Sequence, residues 1–221
     1  MKKLTLTIFL VIFLLSACAN VPAKPQANRL VVMVSVMPQA YFVQKIAGDL
    51  VEVQAMVGTG DDPHTYEPTT EQMRNLTNAQ LYFSIGVEFE AAWLPRFTAA
   101  NPNLKIVDSA EGVVRLPAAP STSGEEAGEP DPHIWLSPSR VKQISANMAA
   151  ALAELDPSNA TIYEQNLAQW LQEIDQVDAD IRLALSGISR NVFLSVHPSW
   201  GYFADEYGLQ MLAVEQEGQE P

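Results

Sequence analysis

Three histidines, His64, His133 and His197, are the only imidazoles in the 221-residue chain, and their surroundings repeat. His64 lies in Asp62-Pro63-His64-Thr65-Tyr66-Glu67-Pro68 and His133 in Asp131-Pro132-His133-Ile134-Trp135-Leu136-Ser137-Pro138. His197 lies in Val196-His197-Pro198-Ser199-Trp200. Two of the three therefore share Asp-Pro-His-x-(Tyr/Trp), and all three sit beside a proline and near an aromatic. Neutral imidazole is the commonest metal ligand. Neighbouring prolines fix φ and so restrict where each ring can point. A ligating imidazole also needs its second ring nitrogen held by a carboxylate or carbonyl, for which Asp62, Glu67 and Asp131 are candidates. A lone loop histidine is ordinarily a hydrogen-bonded turn residue. The set of three, with its repeated motif and acidic neighbours, points to a bound divalent metal.

The elements that must position these residues alternate from Leu30 onward. Leu30–Val36 (LVVMVSV) is nearly all apolar or β-branched, as a strand buried on both faces should be. Pro38 opens a helix through Ala47, with Gly48 as its stop. Further strands are expected at 50–57, 81–85, 104–107, 191–196 and 209–214, and helices at 69–78, 90–98, 139–155 and 200–206. A run from Asn159 to about Leu185 keeps helical spacing at Ile162, Leu167, Trp170, Leu171, Ile174, Val177, Ile181 and Leu185. Strands alternating with helices imply βαβ units and parallel sheets. In open sheets of that kind ligands gather beyond the carboxyl ends of the strands, where Val57 leads to His64 and Val196 to His197. Between the two halves, 117–130 (PAAPSTSGEEAGEP) has three prolines, two glycines and no large apolar residue, and reads as a surface loop.

The N-terminus reads as a targeting segment. Lys2 and Lys3 precede an uncharged apolar run, Leu4 to Ala17, that would span only about 21 Å as a helix, short of a ~30 Å hydrocarbon core. A charged start, a short apolar stretch and small residues make a secretory signal over 1–17. Leu15-Ser16-Ala17-Cys18 resembles the lipobox of bacterial lipoproteins, which implies that Cys18 is acylated and becomes the mature first residue. Residues 18–29, with two prolines and no large apolar group beyond the lipidated Cys18, then form a tether.

Composition narrows the partners. With 13 Lys+Arg against 26 Asp+Glu the net charge is −13, which repels phosphate backbones, so no nucleic acid is expected. The single cysteine excludes a disulfide framework and any multi-cysteine metal site. The methionines are scattered through apolar segments and read as core filler, and Trp200-Gly201-Tyr202-Phe203 reads as packing behind His197.

Taken together, these segments resemble the metal-binding substrate-binding proteins of bacterial zinc/manganese ABC importers. The likeness runs from Val34-Ser35-Val36 and Pro38, through Ile46-Ala47-Gly48-Asp49 and DPHTYEP, to Asn78-Ala79 and Gly86-Val87-Glu88. It continues in DPHIWLSP, the long helix and HPSWGYFADEYGL (197–209). The resemblance implies an α/β fold of two lobes with parallel sheets flanked by helices, joined by a long rigid helix: 30–157, 158–187 and 188–221. It implies metal ligands at His64, His133 and His197, with Zn2+ as the transported ion because histidine at the third position goes with zinc members, and Mn2+ as the alternative. Imidazole donors favouring zinc over manganese is the physical counterpart. It further implies a lipid-anchored monomer outside the cytoplasmic membrane or in the periplasm, delivering its ion to a membrane permease.

Two departures from the family pattern stand out. The family carries a further aspartate ligand and more elements beyond the stretch resembling 215–221, so the C-terminal lobe is expected to be incomplete, with water or Glu67 at a fourth position. The loop before His133 holds Glu125, Glu126 and Glu129 where zinc members have histidines. A zinc hydrolase is the main competing class, since three histidines with an open position also suit catalysis. No His-Glu-x-x-His, nucleophile elbow or second cysteine accompanies them, so no enzyme is expected. A surface adhesin lipoprotein is the other alternative, and an iron- or manganese-type binding protein is the runner-up within the family.

Overall fold

The computed structural model describes residues 29–61, 65–118 and 130–213. The expected signal segment, Cys18 and the tether to Asn28 lie outside those residues. So do His64, most of the 117–130 loop and the acidic end from 214.

Among the described residues, four strands form the first sheet: β1 Leu30–Val36, β2 Val51–Val57, β3 Leu81–Ser84 and β4 Lys105–Asp108, in the order β2-β1-β3-β4. Every pairing is parallel, with Val34 opposite Ala55 on one side and Phe83 on the other. β1 and β3 have neighbours on both edges, and in β1 Val32, Met33 and Val34 expose nothing. That is the physical outcome of its nearly continuous apolar run. The first crossover leaves β1 for one side of the sheet and the next returns to the other. The chain thus reverses its winding between β1 and β3, the place where α/β sheets open a crevice at their carboxyl ends.

The crossovers are α1 Met37–Ala47, α2 Thr70–Leu76 and α3 Phe89–Ala100. Pro38 lies in the first turn of α1, and Gly48 ends it at φ +53°, a backbone state that costs a side-chain-free residue little. α2 is shorter than its sequence pattern. Thr69 serves as N-cap, its Oγ accepting from Gln72 N at 3.2 Å, and the helix stops at Leu76, where Thr77 Oγ donates to Arg74 O. β2 starts one residue later than expected because 48–50 make a 3-10 turn.

Beyond the loop, α4 Pro138–Leu155 and α5 Ala160–Leu185 pack on α1. The 26 residues of α5 run about 39 Å at ~1.5 Å each. It is stapled down from its start to Ile174: Tyr163, Trp170 and Ile174 are buried, and Trp170 Nε1 donates to Ser145 Oγ at 2.9 Å. The Trp170 ring meets Tyr41 edge-on at 5.6 Å, and Lys45 pairs with Glu173 at 2.5 Å. Its second half is exposed at Val177 and Leu183. α5 leads into a second parallel sheet, β5 Val192–Ser195 beside β6 Gln210–Ala213, connected by α6 Gly201–Tyr207. Parallel sheets flanked by helices, with one long helix between them in the chain, match the expected α/β class. No helix among the described residues is long and apolar enough to cross a membrane.

Candidate metal centre

His133 is fixed from both sides of its own segment. Asp131 N donates to Leu116 O at 2.9 Å, and Pro117 bridges Pro130, so the two stems of the intervening loop are tied together. The Asp131 carboxylate Oδ1 then accepts from His133 N at 2.9 Å and meets His133 Nδ1 at 2.8 Å. Pro132 cannot donate, and its carbonyl accepts Ile134 N at 2.8 Å, folding 134–136 into a 3-10 turn that ends at Ser137. Ser137 caps α4, accepting from Arg140 N at 3.4 Å. Asp131 and His133 are both about 95% buried, at 4% and 5% exposure. A carboxylate that close to Nδ1 holds the proton there, which leaves the Nε2 lone pair bare.

His197 follows β5 directly. Its carbonyl accepts Ser195 Oγ at 2.6 Å and Ser199 N at 2.9 Å, closing a tight turn before α6. This turn brings His197 Nε2 to 3.2 Å from His133 Nε2, with ring centroids 5.0 Å apart and planes at 75°. An ion at ~2.0–2.1 Å from both nitrogens would subtend about 100° between them, close to tetrahedral. The donor pair and the carboxylate behind it therefore fit zinc. Without an ion the same spacing is an N–H···N hydrogen bond.

His64 lies outside the described residues, so the described residues bring together two of the three expected ligands. They contain no group of three or more metal-type side chains. The flanks of His64 are anchored: Asp61 Oδ2 accepts Gly58 N at 3.1 Å, just past β2, and Tyr66 packs its ring on Phe89 at 5.3 Å. Glu67 is exposed. Of the candidate carboxylates among the described residues, Glu67 and Asp131, Asp131 holds an imidazole.

Sequence reasoning treated 200–203 as packing, and the structure divides that cluster. Trp200 is 39% exposed, whereas Tyr202 exposes nothing and does polar work. Its hydroxyl donates to Asp131 O at 2.6 Å and accepts Leu116 N at 3.0 Å, and burial pushes its phenol up, so it stays a donor at neutral pH. Arg140 lies over its ring at 4.5 Å and pairs with Asp205 at 3.0 Å. Glu206 accepts Ser139 N at 3.1 Å and the Ser137 hydroxyl at the start of α4. Tyr202, Asp205 and Glu206 stand at i, i+3 and i+4, one face of a helical turn, and that spacing was readable in the sequence.

A second buried network lies at the carboxyl ends of β1 and β3. Glu90 accepts Ile85 N and Gly86 N, each at 2.8 Å, and the Ser35 hydroxyl. Burial raises its pKa above the ordinary carboxylate value. Gly86 sits at φ +88°, and a Cβ there would fall 2.5 Å from the Arg115 guanidinium, which donates to Ile85 O at 2.6 Å. Gln39 spans the β1–β3 end, accepting Ser35 N at 3.0 Å and donating to Ser109 Oγ at 3.0 Å. No polar side-chain atom buried among the described residues lacks a partner.

Comparisons with known proteins bear on the family and the fold. The family model described as "Zinc-uptake complex component A periplasmic" matches residues 32–221. The zinc-binding lipoprotein AdcA of Streptococcus pneumoniae (strain ATCC BAA-255 / R6) is 27% identical over 97% of this chain and 44% of its own length. The iron ABC transporter substrate-binding lipoprotein MtsA of Streptococcus pyogenes serotype M6 is 30% identical over 94% of this chain and 70% of its own. The chain thus spans less than half the length of AdcA. Among solved structures, a zinc-bound ZnuA deletion mutant superposes with a TM-score of 0.80 at 43% identity, over 88% of this chain and 73% of that one. A manganese-bound periplasmic metal-binding protein from candidatus liberibacter asiaticus gives 0.77 at 26%, over 87% and 72%. These names are of uptake, binding and transport proteins, and none is an enzyme's. With 190 consecutive residues matched and the same fold in a relative at 43% identity, the chain belongs to the zinc-uptake complex component A, or ZnuA, family.

Proposed function

We propose that this chain captures a divalent metal ion, zinc first, outside the cytoplasmic membrane and hands it to the permease of an ABC importer. His64, His133 and His197 are the nitrogen ligands in this reading. The observation that carries it is the pair of imidazole Nε2 atoms 3.2 Å apart, one with its other nitrogen on a buried carboxylate. Zinc is favoured because three imidazoles are softer donors than the oxygen sets that suit manganese, and because relatives carry zinc in their names. The ligands come from an N-terminal lobe, 30–157, and a C-terminal one, 188–221, with 158–187 as the connecting helix. Cys18 carries the lipid that keeps a monomer at the membrane, since two or more chains are needed for stable anchoring.

A second reading keeps the site and changes the cargo to iron or manganese, favoured by the names of MtsA and of the manganese-bound relative. Native mass spectrometry and calorimetry with zinc and with manganese separate the two. One zinc retained against excess manganese, and lost in His133→Ala and His197→Ala, is the expected result. Manganese held with equal or greater affinity would make the second reading correct, and binding unchanged in both variants would sink the ligand assignment.

A further inference from the structure

The pair of imidazoles is held in place by a set of contacts that no ligand role explains. His197 rides on the β5–α6 turn, and its strand gives it little apolar anchorage, with Val192, Leu194 and Val196 all exposed. What ties this unit to His133 is one face of α6. The Tyr202 hydroxyl reaches both stems of the 117–130 loop, through Leu116 N and Asp131 O, and Asp131 is the residue whose carboxylate holds His133. One turn on, Glu206 takes the Ser139 amide and Ser137 hydroxyl at the N-terminus of α4, a position where a negative charge also meets the positive end of the helix. Arg140 closes the contact by stacking on Tyr202 and pairing with Asp205. These are directional bonds, so they define position rather than mere proximity. All but the one to Leu116 reach the segment 131–140 that carries His133.

We infer that α6 is a latch, with Tyr202 and Glu206 as positioning residues that hold His197 against His133 before any metal arrives. The inference rests on the reading of those two histidines as ligands. Half of the metal site is then preformed, and an incoming ion meets two nitrogens already at chelating distance. Ordering cost that would otherwise be charged against binding has been met in folding.

The test uses the full chain, metal-free and then with zinc alone, in Tyr202→Phe and Glu206→Ala. Tyr202→Phe keeps the ring and deletes the bridge, leaving Leu116 N–H and Asp131 C=O without their partner. Amide hydrogen exchange of residues 201–207 and the ring-nitrogen resonances of His133 and His197 are read in the metal-free protein, beside far-ultraviolet circular dichroism as a check on folding. Faster exchange in α6, loss of the coupled imidazole signature and roughly tenfold weaker zinc binding, with the overall fold retained, are expected. Glu206→Ala, which removes a surface-accessible carboxylate, should show the same changes at smaller size. Unaltered exchange and unaltered imidazole resonances in both variants would overturn the latch. Zinc that leaves the wild-type imidazole resonances where they were would overturn instead the ligand reading, and with it the latch's part in the site.

Discussion

The two parallel sheets of this protein are built on one pattern and held by different means. In the first, β3 pairs with β1 on one edge and β4 on the other, and Leu81, Tyr82 and Phe83 expose nothing. In the second, β5 pairs with β6, and the described residues leave Leu194 73% exposed and Val192, Val196 and Leu212 near half or more. Apolar burial fixes the first sheet, while the second is fixed to the rest of the molecule through polar contacts of α6 and through Tyr207, whose hydroxyl donates to Asp178 on α5 at 2.9 Å. His133 and His197 come one from each side of this divide. Among the described residues, the contacts that join the two histidine-bearing segments include directional polar ones, from Tyr202 to Asp131 and from Glu206 to Ser139.

Phe83→Ala should give the largest effect on that contrast. The ring is wholly buried in a strand with partners on both sides, so truncation loses transfer free energy and leaves a cavity that a doubly paired strand cannot collapse into. A loss of about 3–5 kcal/mol in urea-unfolding stability is expected. A loss under about 1 kcal/mol would mean that the first sheet is not the better-packed region, since such a value belongs to an exposed position.

Glu90→Gln should come next. Both carboxylate oxygens receive backbone N–H groups, from Ile85 and Gly86, so an amide must turn its NH2 against one of them. A cost of about 1–3 kcal/mol follows from one buried donor left unmet. The pH dependence has a fixed sign. Burial raises the folded-state pKa of Glu90 above its free value of 4.5, so the folded protein holds the proton more tightly than the unfolded chain does. The stabilising term is complete below 4.5 and is lost as pH rises through the folded value. The gap between wild type and Glu90→Gln is therefore widest in acid and narrows upward through that window. A gap that widens with pH in paired urea titrations would show that hydrogen bonding to the carboxylate outweighs burial.

Much of this was legible in the sequence. The nearly continuous apolar run of β1, Pro38 and Gly48 around α1, and the helical spacing of α5 gave elements whose ends agree to within a residue or two. The Asp-Pro-His repeat singled out His133 and its carboxylate, because an imidazole and the acid that orients it are close in sequence and fixed by proline. The cross-chain partners were not legible. Tyr82 and Glu90 are 47 and 55 residues from Ser35 along the chain, and Tyr202 is 71 residues from Asp131, so no local pattern couples them. A buried tyrosine read by hydropathy is an aromatic in a core, and its hydroxyl acquires a role only when the fold supplies two unpaired backbone groups in one place.

Leu194→Ser marks the other end of the comparison. The side chain is three-quarters exposed in a strand with one paired neighbour among the described residues, so its removal takes little area out of a packed environment. The change in unfolding free energy should stay within about 0.5 kcal/mol. Zinc affinity should also hold, because the strand's backbone pairing to Leu212 and the polar face of α6, not the Leu194 side chain, set the position of His197. Stability is read from the urea midpoint and affinity from zinc calorimetry on the same sample. A destabilisation of 2 kcal/mol or more, approaching that of Phe83→Ala on the scale used above, would mean that this face is packed in solution, and the unequal anchorage of the two sheets would have to be given up.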